Sequence, residues 1–484
     1  MGCYAITVLI AAPVVPLPSA GSIERVKAEL ERRLGSSKVD ASEERRKFYA
    51  RDESEAIGLV PDVVVVAERA EDVALTLAIA EAHGVPVTPR AGGTGRTGGA
   101  VPVAGGIVLR TDRLSQIKEI DRHDLVCVAQ PGVITGELHE ACEKEGLFYP
   151  PDPNSLATCM LGGNVAENAG GPRAFKYGVT RDYVLGVEVC LMGGRVLRPG
   201  RRTVKGVTGY DVTALLVGSE GTLGVFTEVT LRLVPKPPEV ATILALFEDV
   251  HACGDAVTAI VAAGLVPRCL ELLDRATLEA VRGNGVSVDP RAGAMLLVEL
   301  DGEAAALEPQ LERLGEVVSK GRGVVDLLVA QDAAQRGRLW EARRALSRAT
   351  RKLAKYKLSE DIVVPRSKVP ELLTRVDGIT LETGVRTLTY GHAGDGNLHV
   401  NFLWNDDAER PAVDRAILAL MQATVAMRGT LSGEHGIGVS KAAYLPLEQS
   451  SDLIALQRDL KRVFDPRELL NPGKIFPATG HAAC

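Results

Sequence analysis

Two histidines and an adjacent Glu-His pair carry the densest chemistry in this chain. His392 and His399 bracket the run GHAGDGNLH (391–399), and Glu434-His435 sits in SGEHGIG (432–438). Imidazole and carboxylate are ligand types that divalent transition metals take, and three of them leave coordination positions open for a substrate. His392, His399 and Glu434 are therefore the candidate metal ligands, and the residue types do not choose among zinc, manganese and iron. His435, a fourth ionisable group beside them, is the candidate base. Far upstream lies RAGGTGRTGGA (90–100), a glycine-rich loop whose backbone N–H groups suit a phosphate cradle. Together these features predict an enzyme in which a phosphate-bearing cofactor works opposite a metal-held substrate.

The elements that must position these residues are legible in part. In LHVNF (398–402), His399 and Asn401 stand two apart on a strand pattern and so share a face. The turn Gly394-Asp395-Gly396 can fold His392 back beside His399, and Gly433 and Gly436 let the Glu434 loop approach closely. The segments 22–34, 71–83, 249–263, 303–320, 331–354 and 449–464 read as helices. Ser22 is the expected cap of the first, and Gly35 its end. In the last, Leu453, Leu456, Leu460 and Val463 form one apolar stripe. Strand patterns occupy 63–67, 85–88, 106–110, 125–129, 184–192, 225–234, 240–247 and 294–300. Pro235-Lys236-Pro237-Pro238 is the clearest break, so two α+β domains with a short return segment are expected.

Gly93-x-Gly95-x-x-Gly98 matches the dinucleotide fingerprint only on paper. The chain continues AVPVAGGIVLR, with Pro102 and two more glycines before a β-run, so no helix follows to aim its N-terminus at a pyrophosphate. A strand–loop–strand nest is expected instead. Further glycines stand beside small polar residues in 162–171, 208–211 and 218–224, a pattern for backbone lying close to a large polar ligand.

Composition bounds the partners. At 484 residues the chain is long enough for more than one domain, and 46% hydrophobic with 24% charged residues is ordinary globular usage. A net charge of −6 argues against nucleic acid. The eight cysteines include no CxxC pair, so no iron–sulfur or structural zinc site is indicated, and a reduced, cytoplasmic setting is expected. Residues 4–18 are apolar but interrupted by Pro13, Pro16 and Pro18, too short and broken for a membrane span. They read as a disordered extension.

Seven segments in order now carry a resemblance: RAGGTGRTGGAVP (90–102), DPNS (152–155), GGNVAENAGGPRAFKYG (162–178), TGYD (208–211), GSEGTLG (218–224), GHAGDGNLH and GEHGIG. From about residue 57 to 476 the chain resembles the FAD-linked D-2-hydroxyacid dehydrogenases of the vanillyl-alcohol oxidase type, a group that includes D-lactate dehydrogenase, D-2-hydroxyglutarate dehydrogenase and the flavin subunit of glycolate oxidase. The resemblance implies an α+β fold: an N-terminal extension and helix (1–56), a two-subdomain FAD-binding domain (57–236), a substrate-capping domain with the metal site (237–440), and a C-terminal segment returning to the flavin (441–484). By motif it assigns Arg90, Ala91, Gly92, Gly93, Thr94, Gly95, Thr97 and Gly98 to the pyrophosphate. Pro151, Asp152, Ser155, Gly163, Asn164, Asn168, Gly170, Glu220 and Thr222 fall around the rest of FAD, and Asn471 closes over it. Because no histidine occurs between His83 and His123, FAD is expected to be non-covalent.

The resemblance also implies the chemistry. Arg343, in WEARRALS (340–347), matches the position that grips a substrate carboxylate, with Ser347 one turn on and Lys357 a further anion anchor. Asn401 completes the expected catalytic set with His435. The substrate is then a D-2-hydroxy acid, with EDIVVP (360–365) pointing to D-lactate or glycolate and Lys357 leaving room for D-2-hydroxyglutarate. With no iron–sulfur motif, electrons must leave to a separate quinone, cytochrome or electron-transfer flavoprotein. A homodimer, cytoplasmic or peripheral to a membrane, is the family expectation. Two other classes stay open: a catalytically silent FAD-binding subunit, and a flavin-free metal hydrolase.

Overall fold

The computed structural model describes residues 16–56 and 58–476, and leaves the side chains of Ser347 and Arg348 undescribed. The reading of residues 4–18 as a disordered extension falls almost wholly outside these. The chain divides into two compact units. Among the described residues, one contains Gly171–Gly178 and Pro237–Gly433; the other contains residues up to Gly170, Val179–Lys236, and those from Glu434 to 476. The return to the second unit thus comes at Glu434, ahead of the expected 440.

The unit that includes residues 16–170 contains two main sheets and a two-stranded pair, Leu147–Phe148 with Val234–Pro235. In the first, valine-rich Val63–Val66 and Val87–Arg90 each pair in parallel with Ile107–Arg110, and Val39–Asp40 adds an antiparallel edge. Its core is aliphatic, with Val63, Val65, Val87, Ile107 and Leu109 fully buried against Val73 and Leu77 of the helix Ala70–His83. The second sheet is antiparallel, in the order Ile117–Asp121, Val126–Ala129, Val225–Arg232, Val184–Cys190, Val196–Leu197. No helix follows the strand Val87–Arg90; the loop runs on to Ile107–Arg110, a strand–loop–strand arrangement. The first helix spans Ala20–Leu34 and is capped by Ser19, whose hydroxyl accepts from the Ser22 amide, rather than by Ser22 itself.

The other unit is built on one seven-stranded antiparallel sheet. Its order is Val324–Val329, Glu239–Phe247, Ala294–Gly302, Cys269–Leu273, Arg386–His392, Asn397–Trp404, Tyr356–Val363. Strand alternation sorts its side chains, because directly paired residues share a face. The pairs Glu271–His392, Tyr390–His399, Asp361–His399, Asn401–Ser359 and Thr242–Glu299 therefore place one polar series on a single face. The segment expected as one helix over 331–354 breaks at Trp340 into Ala333–Leu339 and Glu341–Thr350. The break has an anchor: Trp340 Nε1 donates to buried Glu299 at 2.7 Å. The second piece lays Ala342, Ala345, Leu346 and Ala349 on the same sheet face as Leu273, Met295 and Leu297.

Candidate functional site

In the sheet unit, register and burial gather the candidate residues. His392 and His399 are buried neighbours with ring centroids 5.5 Å apart at 85°. His392 Nδ1 meets Glu271 Oε1 at 2.5 Å, and Arg343 Nε donates to Glu271 Oε2 at 2.6 Å. Burial pushes the Glu271 carboxyl up, but His392 and Arg343 outweigh it and hold the group at about 2. Behind His399, Asp361 Oδ1 lies 3.9 Å from Nδ1. Asp361 itself accepts from Asn397 Nδ2 at 2.6 Å and from the Gly433 amide at 2.9 Å. Two buried imidazoles, each backed by a carboxylate, are a donor set that fits a divalent metal.

The expected substrate residues sit around this pair. Arg343 stacks over the Tyr390 ring at 5.5 Å. Asn401, on the His399 face, spends its amide on the sheet, donating to Leu388 O at 3.3 Å and His399 O at 3.1 Å. Lys357 Nζ donates to Thr350 Oγ1 at 3.1 Å. By alternation from Asp361 it stands on the same face as His399. Ser347 lies in the helix Glu341–Thr350, but its side chain is outside the described residues.

The glycine loop in the other unit fits a pyrophosphate. Among the described residues, nothing accepts from the backbone amides of Gly92, Gly93, Thr94 or Gly95. Gly93 has φ +68°, and a Cβ there would sit 2.1 Å from Arg90 Nη2; one on Gly92 would meet Thr158 O at 3.0 Å. Arg90 is buried beneath the loop and donates to Arg51 O at 2.5 Å. Around it, Asn164 Nδ2 donates to Thr135 Oγ1 at 2.7 Å, and Pro151 O pairs with His139 Nε2 at 2.8 Å. Asn471 donates to Gly99 O at 2.9 Å and Glu220 O at 2.7 Å. Its Oδ1, with Ser219 Oγ and Glu167 Oε2, is buried with no partner among the described residues. Orphaned buried polar atoms beside unbonded amides are what a large polar cofactor would satisfy.

The GEHGIG segment is tied to this loop. Thr97 Oγ1 donates to His435 O at 2.9 Å, and Glu220 accepts from the Ile437 and Gly438 amides at 2.7 Å each. Gly436 sits at φ +76°, a conformation that strains any side-chain-bearing residue, and a Cβ there would lie 2.2 Å from Glu167 Oε2. Within the same unit, a Cβ on Gly170 would come 3.3 Å from Glu434 Oε2. Ser155, Asn168 and Thr222 serve local backbone geometry: Asn168 Oδ1 accepts from the Arg181 amide at 2.8 Å, and Thr222 Oγ1 donates to Ser219 O at 2.7 Å.

Sequence reasoning missed Glu271, Asp361 and Glu167. The signal for Glu271 was a lone acid in CLELL (269–273), an apolar run that reads as a buried strand. Asp361 stood in EDIVVP, noticed only as a family marker. Glu167 is half-buried with its Oε2 shut off from solvent; burial and the neighbouring Glu220 push its carboxyl well above the ordinary range.

Comparison with known proteins agrees with this arrangement. Residues 61–200 match the FAD binding domain family, and residues 236–475 match the C-terminal domain of FAD linked oxidases. Glycolate oxidase subunit GlcD of Bacillus subtilis is 40% identical over 456 residues, covering 93% of this chain and 96% of that protein. D-lactate dehydrogenase of Anaerostipes hadrus is 35% identical, covering 91% and 95%. Among solved structures, p-cresol methylhydroxylase superposes with a TM-score of 0.80 at 16% identity, covering 96% of this chain and all (100%) of that one. The 4-ethylphenol oxidase of Gulosibacter chungangensis gives 0.78 at 19%, covering 95% and 99%; both likenesses speak for the fold alone. An FAD-binding α+β unit of the vanillyl-alcohol oxidase type, joined to a seven-stranded unit that carries the buried imidazole pair, makes this chain a member of the FAD-linked oxidase family.

Proposed function

We propose that this chain oxidises a D-2-hydroxy acid, D-lactate or glycolate, to the 2-oxo acid, using non-covalent FAD and a divalent metal. The observation that carries the reading is the buried face bearing Arg343, His392, His399 and Asp361 in a chain of the FAD-linked oxidase family. The names of the relatives support the substrate class. Bound FAD would supply a two-electron acceptor for hydride from C2, and a metal held by His392, His399 and Glu434 a Lewis acid at the 2-hydroxyl. Arg343 binds the substrate carboxylate, its planar fork matching two oxygens. Asn401 and the imidazole pair orient the 2-hydroxyl end. His435 accepts the hydroxyl proton on its ring as C2 is oxidised. Electrons then pass to a separate quinone, cytochrome or electron-transfer flavoprotein, and the chain works as a homodimer. No helix among the described residues is long and apolar enough to cross a membrane.

Lys357 favours a second reading. It stands on the His399 face and could hold the distal carboxylate of D-2-hydroxyglutarate. Anaerobic bleaching of the flavin by a panel of D- and L-2-hydroxy acids, with and without chelator, separates the two. Bleaching by D-lactate or glycolate, lost with EDTA and restored by one metal, is expected; bleaching by D-2-hydroxyglutarate alone would favour the second reading. No bleaching by any acid would sink both and leave a silent flavin subunit. His435→Ala should keep FAD and slow bleaching about 10²–10⁴-fold, the usual contribution of a general base; normal bleaching would remove His435 from that role.

A further inference from the structure

We infer that Glu271 is a positioning residue that fixes the candidate metal ligand His392 and the candidate substrate anchor Arg343 to one another. The inference rests on the metal reading above. Glu271 is fully buried in Cys269–Leu273, between Leu270 and Leu272, which are also buried. A carboxylate in such a setting is costly unless both oxygens are bonded. Each has one dedicated partner, Oε1 for His392 Nδ1 at 2.5 Å and Oε2 for Arg343 Nε at 2.6 Å. Strand pairing sets the first contact, because Glu271 lies directly opposite His392. The helix Glu341–Thr350 brings the second.

Two chemical consequences follow. A carboxylate only accepts, so His392 must carry its proton on Nδ1, and in the neutral ring the lone pair is then on Nε2, the form a ligand needs. Arg343 donates to Glu271 through Nε, and that contact fixes the plane of the guanidinium whose Nη1–Nη2 fork matches a carboxylate. One side chain thereby sets the tautomer of a ligand and the aim of an anchor. A purely structural ion pair would do neither.

The test uses the FAD-loaded protein, stripped of metal and titrated with Zn²⁺ or Mn²⁺. Glu271→Gln, near-isosteric, should keep its flavin while its metal affinity falls by roughly 10–100-fold, as loss of such a supporting partner does elsewhere. KM for the hydroxy acid should rise with it. Selective ¹⁵N-histidine spectra, with His392→Ala for assignment, supply a readout independent of metal. The wild-type His392 signals should report protonated Nδ1 and bare Nε2, and this pattern should be lost in Glu271→Gln. Should that variant not fold, Glu271→Asp keeps the charge but is too short for both partners, and should lose metal affinity to a smaller degree. Wild-type affinity in either folded variant, or a wild-type His392 protonated on Nε2 alone, overturns the inference. Failure of the wild-type protein to take up either metal would instead sink the metal reading, with the nitrogen shifts still deciding the role of Glu271.

Discussion

Ionised groups survive inside a protein only when what surrounds them replaces water, and Glu271 shows how this depends on pH. Burial would raise its carboxyl, yet His392 and Arg343 bring it from the ordinary 4.5 to about 2. A folded value below the unfolded one means that the pairing stabilises fully above about pH 4.5, and that this contribution is lost as pH falls through about 2. The shift corresponds to a ceiling of about 3 kcal/mol, at roughly 1.4 kcal/mol per unit. Metal-free Glu271→Gln should therefore lose stability less steeply than the parent between these limits. Urea midpoints taken across that window measure it; parallel curves would mean that the carboxylate is not held low. Asp361 beside His399 is likewise bonded inside the sheet, accepting from Asn397 Nδ2 and from the Gly433 amide.

Elements obey their own signals until a tertiary partner overrides them, and the helix Ser451–Phe464 is the clearest case. Its amphipathic pattern was legible, but most of the apolar stripe faces solvent. Leu453, Leu456 and Val463 are 44%, 57% and 72% exposed and Leu460 is half-buried, while Ile454 and Lys461 are buried. Lys461 Nζ donates to Thr222 O at 2.7 Å, Leu470 O at 2.9 Å and Asp465 Oδ2 at 2.5 Å. It thus ties the GSEGTLG turn to the residue before Asn471, and no apolar count can reveal a lysine used this way. Lys461→Met should cost about 3–5 kcal/mol, the scale for stranding a buried partner charge, and should lower FAD retention. Leu456→Ser should stay within about 0.5 kcal/mol. Equal urea midpoints for the two variants would refute the assignment. About half of the described strands were legible, because β-branched runs and alternation are local properties, while Ile117–Asp121, Val324–Val329 and Tyr356–Val363 were not anticipated. Glu271 and the strand Cys269–Leu273 escaped because a five-residue apolar run carries no period of its own, and its partners lie about 70 and 120 residues away.

At the scale of the molecule, the chain passes between its two units, among the described residues, at 170/171, 178/179, 236/237 and 433/434. Only the prolines around 237 announce a crossing in the sequence. The excursion Gly171–Gly178 is held in the sheet unit by Lys176 and Tyr177, both bonded to buried Asp301. It continues the motif 162–178 directly after the candidate flavin residue Gly170, and glycine marks close approach without naming what is approached. Every candidate FAD residue, from Arg90 to Asn471, belongs to one unit, whereas His392, His399 and Arg343 belong to the other and the third candidate metal ligand, Glu434, falls back in the first. Two of the three metal ligands thus lie outside the flavin unit, so flavin retention should not depend on the metal. Dialysis against EDTA should leave the ratio of flavin to protein absorbance unchanged while bleaching by substrate is lost. Conversely, Gly93→Val forces a branched side chain onto φ +68° and into Arg90. Strain of about 1–3 kcal/mol implies a loss of FAD affinity on the order of tenfold or more, with Zn²⁺ or Mn²⁺ uptake unaffected. Release of flavin by EDTA, or loss of metal uptake in Gly93→Val, would mean that the two ligands are coupled, with Glu434, the metal ligand that lies in the flavin unit, as the link to test.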